Sequence, residues 1–84
     1  MPVLSRFHGI TIRMYFIQAE HNPPHIHAVY GSYTAEITIA DGRILEGRLP
    51  SKALHLVQEW IERNRSDLFE IWESQQFRRI DPLA

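Results

Sequence analysis

The stretch His25-Ile26-His27-Ala28-Val29-Tyr30-Gly31-Ser32-Tyr33-Thr34-Ala35-Glu36-Ile37-Thr38-Ile39 decides the fold. Two runs rich in β-branched and aromatic residues flank Gly31-Ser32. That pattern predicts a β-hairpin with strands over 25–30 and 33–39, joined by a two-residue turn of the II′ kind. A two-residue turn also fixes the register. It sets Tyr30 opposite Tyr33, Ala28 opposite Ala35 and Ile26 opposite Ile37, all apolar. The other face pairs Val29 with Thr34, His27 with Glu36 and His25 with Thr38. A one-residue slip would move every side chain to the opposite face and bury the charged set, so the separation supports this register.

Working towards the C-terminus, Ala40-Asp41-Gly42 reads as a three-residue hairpin loop with glycine in the left-handed position. It leads into a strand over 43–49 and pairs Ile39 with Arg43, Ile37 with Leu45 and Glu36 with Glu46. A two-residue loop would set Ile37 against Glu46. Towards the N-terminus, Ile10, Ile12, Met14 and Phe16 alternate with Thr11, Arg13 and Tyr15, the period of a half-buried strand. Gly9 is expected to kink it away from a shorter strand over 3–8, and a loop is expected over 18–24. The pairing of these first two strands stays open. The sheet should have one apolar face, with His25, His27, Glu36, Glu46, Arg13 and Tyr15 on the other.

An apolar sheet face needs a cover. Ala53, Leu56, Val57, Trp60 and Ile61 follow the i, i+3, i+4, i+7, i+8 spacing of an amphipathic helix, and Pro50 and Ser51 suit its start. The pattern breaks at 64–66. A second helix is expected from about 66 or 67, with Leu68, Phe69, Ile71, Trp72 and Gln76 in its stripe. Asp67 and Glu70 near its start, and Arg78 and Arg79 near its end, complement the helix dipole. The expectation is an α+β fold: an antiparallel sheet of four to five strands, with two C-terminal helices packed on one face. One domain would span 1–84, with strands over about 3–49, helices over about 51–77 and a tail over 78–84.

The chain has 84 residues, 44% of them hydrophobic and 23% charged, as in ordinary soluble domains. Its lack of cysteine excludes disulfide scaffolds and thiolate metal sites, and fits a reducing cytoplasm. No apolar run approaches a membrane span, and 1–10 lacks the pattern of a secretory signal. A net charge of −1 does not point to nucleic acid.

Three of the five histidines fall within His21-Asn22-Pro23-Pro24-His25-Ile26-His27. At i and i+2 on a strand, His25 and His27 project from one face, and Glu36 should lie opposite His27. Two imidazoles and a carboxylate suit a divalent transition metal: zinc, manganese, nickel or ferrous iron. His21 could join from the loop, and the paired prolines stiffen that presentation. Without a metal, His25 or His27 would serve as a catalytic base, with Glu36 or Glu46 setting its pKa. The plain alternative is an ordinary cross-strand His–Glu pair contributing about 0.2–1 kcal/mol. Glu46, Arg13 and Tyr15, with His21, are the expected binding residues around this centre. His55 reads as solvated near Glu59, and His8 as a turn residue. Trp60 and Trp72 read as core. Arg63, Arg65, Arg78 and Arg79 are candidates for a phosphate-binding rim.

Several segments together resemble one family. They are Met1-Pro2, Ser5-Arg6-Phe7, Gly9-Ile10, Met14, His21 through Ala28, Tyr30, Leu45-Glu46-Gly47, Leu49-Pro50, Ala53-Leu54, Glu59-Trp60, Trp72, Ile80 and Pro82-Leu83. The pattern is similar to the bacterial domain of unknown function 4160 family, over nearly the whole chain. Pro23-Pro24-His25-Ile26-His27 is the most specific part. A histidine is common in that family where this chain has Asn64, which argues against chemistry at Asn64. The resemblance implies a small bacterial protein with no activity attached, in pairs that resemble toxin–antitoxin modules. The expectation is a cytoplasmic protein whose work is binding a protein partner or a second copy of itself. The alternative is a metal-binding or hydrolase-like protein using His25, His27 and Glu36.

Overall fold

The computed structural model describes residues 2–15 and 23–84. Five strands, β1 (Val3–Phe7), β2 (Ile10–Arg13), β3 (His25–Tyr30), β4 (Tyr33–Thr38) and β5 (Ile44–Gly47), form one antiparallel sheet in sequential order. One helix, α1 (Ser51–Ser74), follows. The β3–β4 register is the one its turn dictates: His25 opposite Thr38, Ile26 opposite Ile37, His27 opposite Glu36 and Ala28 opposite Ala35. Gly31 takes φ 59°, as the first position of a II′ turn requires.

The first two strands are not a kinked pair. They form a hairpin with Phe7 opposite Ile10. Its two turn residues, His8 and Gly9, have φ 49° and 80°. Positive φ at both positions matches the right-handed strand twist, so the chain reverses there instead of bending. β2 ends at Arg13 instead of running on to 16.

The loop after β4 also differs. The Thr38 amide donates to the Arg43 carbonyl at 2.9 Å, so four residues, 39–42, make the connection. Ile37 then faces Ile44 rather than Leu45. A register shift between Glu36 and Ile37 absorbs the extra residue and restores Glu36 opposite Glu46 and Ala35 opposite Gly47. The Thr38 hydroxyl, donating to Asp41, stitches the loop, while the Arg43 amide donates to Thr38 Oγ1 at 3.1 Å and to Asp41 Oδ1 at 3.2 Å. The Thr38 hydroxyl first, and the Arg43 amide second, hold the Asp41 carboxyl below its usual range. A depressed carboxylate pKa adds stability that is complete above the unfolded value, about 3.9, and is lost as pH falls through the folded one. We therefore expect Asp41→Asn to flatten the acid limb of a stability-against-pH curve below about pH 4, followed by urea unfolding.

The two expected helices are a single helix, kinked at Asn64 (φ −124°, ψ 16°). No glycine or proline stands at 64–66 to end it. The Asn64 side chain donates to the Trp60 carbonyl at 2.8 Å, tying the kink to the preceding turn. The helix ends at Ser74, not 77. Gln75 turns left-handed at φ 58° and returns its amide to the Ile71 carbonyl at 2.8 Å. Gln76 is therefore outside it, and Arg78 lies in the tail, turned back onto Asp67 at 3.2 Å and Glu70 at 3.6 Å.

The core lies between α1 and the apolar sheet face. Ile10, Ile12, Ile26, Ile37, Val57, Trp60, Ile61 and Leu68 are all buried. Residues 75–84 run back past β1, where the Ile80 amide donates to the Leu4 carbonyl at 2.7 Å and the Trp60 indole donates to the Asp81 carbonyl at 2.9 Å. Among the described residues, no helix is long and apolar enough to cross a membrane.

Candidate metal centre

Strand alternation and the hairpin registers place four chemically active residues in one row across the polar face. Arg13 on β2 faces His27 on β3, His27 faces Glu36 on β4, and Glu36 faces Glu46 on β5. His25 lies two residues before His27 and so joins the same face.

The start of β3 explains how His25 is held. Proline has no amide hydrogen to satisfy, yet its carbonyl still accepts. The Pro24 carbonyl takes the Ile39 amide at 3.0 Å and ties the segment to the end of β4. The Pro23 carbonyl lies 2.9 Å from His25 Nδ1. A carbonyl can only accept, so Nδ1 carries a proton, and Nε2 points the other way. It faces Glu36 Oε1 at 3.5 Å. A carbonyl behind a histidine is the usual device for fixing a ligating ring nitrogen.

His25 is buried, with 4% of its surface exposed. Its ring centroid is 5.1 Å from that of His27 and 5.2 Å from that of Trp72. Tyr15 meets the His27 ring edge-on at 4.1 Å between centroids. One ligand atom from each of His25, His27 and Glu36 falls within 4.8 Å of the others. Glu46 is exposed and lies outside that group, beside an open hollow of about 430 Å³ lined by His27, Thr34, Ala35, Glu36, Glu46 and Gly47.

The structure thus brings His25, His27 and Glu36 together, with Tyr15, Arg13 and Glu46 around them. His21 lies outside the described residues. Sequence reasoning placed Trp72 in the core stripe. It is half-buried, and its ring lies beside His25. Helical periodicity could show that Trp72 faces the sheet, but not which strand it would meet. The arginine rim does not assemble. Arg63 pairs with Glu59 at 2.9 Å, Arg65 donates to the Ile39 carbonyl at 2.9 Å, and Arg78 holds Asp67. His8 is a turn residue, as expected, with Nε2 3.2 Å from the Ala84 carbonyl.

A family model described as Domain of unknown function (DUF4160) matches residues 9–73, a span that includes every residue of the centre from Arg13 to Trp72. No curated protein and no solved structure matches the chain.

Proposed function

Because the chain belongs to the domain of unknown function 4160 family, whose description names no activity, we propose its function from the site itself: binding of a divalent transition-metal ion by His25, His27 and Glu36. The observation that carries this is the approach of His25 Nε2 to Glu36 Oε1 at 3.5 Å, with Nδ1 committed to the Pro23 carbonyl. Nε2 and the carboxylate oxygen therefore face one another, at a separation longer than the roughly 2.9–3.0 Å at which direct N–H···O bonds cluster. Two ligands of a tetrahedral ion with bonds of about 2.0–2.1 Å stand roughly 3.3–3.4 Å apart.

Two imidazoles and one carboxylate among the described residues form a donor set that suits zinc or ferrous iron best. The protein-partner reading rests on less. β5 lies at the sheet edge, but Tyr30 is the sole exposed large hydrophobic among the described residues, so no apolar patch accompanies it.

The test is elemental analysis of untagged protein, with and without added zinc. We expect about one ion per chain, and a thermal shift on adding zinc. His27→Ala, at a half-buried position, should lose the ion and the shift while keeping the wild-type far-UV spectrum. Background metal in wild-type protein, with no thermal shift from zinc, manganese or ferrous iron, overturns the proposal.

A further inference from the structure

We propose that Arg65 and Trp72, both on the half of α1 beyond the Asn64 kink, are positioning residues for His25. Holding an ion and seating that half of the helix are then one coupled event. The proposal rests on the metal reading above and adds what readies its buried ligand, His25. Arg65 acts through the end of β4. Its Nε donates to the Ile39 carbonyl at 2.9 Å, and the Ile39 amide donates to the Pro24 carbonyl at 3.0 Å. Pro24 immediately precedes His25, and the Pro23 carbonyl accepts from His25 Nδ1 at 2.9 Å. Ile39 is fully buried, where losing a donor at a carbonyl is costly. Arg65 therefore braces the segment that fixes the His25 ring.

Trp72 acts on the ring itself. Its centroid is 5.2 Å from that of His25, with the planes at 54°. Trp72 follows Arg65 by seven residues, about two turns, so both project from the same side of the helix. Leu68 and Ile71 are buried in the core and seat the same stretch. The Gln75 side chain donates to the Trp72 carbonyl at 2.7 Å and closes the last turn beneath it. Asn64 departs from helical torsions at φ −124° and ψ 16°, so the stretch 65–74 takes its own direction and forms a natural unit of local opening. When it lifts, Arg65 leaves Ile39 and Trp72 leaves the His25 ring together. Linkage makes the effect mutual: an ion that binds better to the seated form holds the stretch down by the same factor.

The experiment uses the whole chain and zinc. Hydrogen exchange is followed along α1 by mass spectrometry, and zinc affinity by competition with a chromophoric chelator. Zinc should slow exchange over 66–74 about tenfold more than over 54–63. Arg65→Met keeps the stem and removes the donor, while Trp72→Leu keeps apolar bulk and removes the ring. Each should weaken zinc binding about tenfold, and Arg65→Lys and Trp72→Phe should recover most of the affinity. Val57→Ala, in the core before the kink, is the control: it should lower Tm and leave the zinc affinity of the folded protein unchanged. Even protection along α1, or unchanged zinc affinity in Arg65→Met or Trp72→Leu, overturns the proposal and leaves the metal site standing. So does an equal loss of affinity in Val57→Ala, which would make the effect one of general destabilisation. Wild-type protein that takes up no zinc, manganese or ferrous iron overturns both readings together.

Discussion

Gly47→Ala should abolish the cooperative unfolding transition at room temperature, or lower Tm by more than about 10 °C. Gly47 has φ 81°, a conformation L side chains rarely adopt. A Cβ built there would lie 2.1 Å from the Thr34 carbonyl oxygen and 3.0 Å from Ala35 Cα, both backbone atoms of the paired strand. No flexible side chain can yield. The β4–β5 pair would have to open at this end, where the Arg48 amide donates to that same Thr34 carbonyl at 3.0 Å. Left-handed strain costs about 1–3 kcal/mol, and overpacking a further 1–3 kcal/mol or so. The total is comparable with the whole stability of a domain this size, roughly 4–13 kcal/mol at 0.05–0.15 kcal/mol per residue. Gly31→Ala is the control. Its φ is also positive, at 59°, but no atom lies within 4 Å of the added Cβ. It should show the strain alone, a loss of about 1 kcal/mol in urea unfolding. Equal losses at the two glycines would show that the clash with Thr34 is relieved in solution.

Trp60→Ala should cost about 3–5 kcal/mol and leave little folded protein at 37 °C. The Trp60 ring is fully buried, 5.7 Å from the Phe7 ring between centroids and tilted by 32°. Its indole N–H holds the Asp81 carbonyl at 2.9 Å. One side chain therefore joins α1, β1 and the returning tail, and removing it leaves a large cavity where three segments meet. Trp60→Phe separates the two contributions. It keeps most of the apolar volume and removes the indole donor, and because Asp81 is exposed, water can serve its carbonyl. We expect a loss of about 1 kcal/mol from the hydrogen bond, plus a smaller packing cost, read by urea unfolding and Trp72 fluorescence. A Trp60→Ala protein that unfolds within 1 kcal/mol of wild type would contradict the packing described here.

Much of the candidate centre could be read before any coordinates. The Gly31-Ser32 turn and a two-residue period suffice to set His27 against Glu36. Glu46 reached its place opposite Glu36 even though the loop before it was read one residue short. The register shift at Leu45, between Ile44 opposite Ile37 and Glu46 opposite Glu36, compensated. The helix break was misread because Asn64 weakens helical periodicity without ending the helix. Its side chain bonds back to the Trp60 carbonyl, and the helix runs on past it.

The sequence alone therefore determined the sheet, its registers from β3 onwards at Glu36 and Glu46, and the polar row on one face. These follow from turn geometry and alternation, which act between residues close along the chain. Tertiary structure decided what surrounds that row. Trp72 reaches His25 because α1, bent at Asn64, carries residues past 64 along a path set by packing against the core. The Pro23 carbonyl reaches His25 Nδ1 because the ladder continues past the strand end to Ile39. Such contacts depend on the crossing of a helix over a sheet and on the exact course of the chain at a strand end, and neither has a period that a sequence displays.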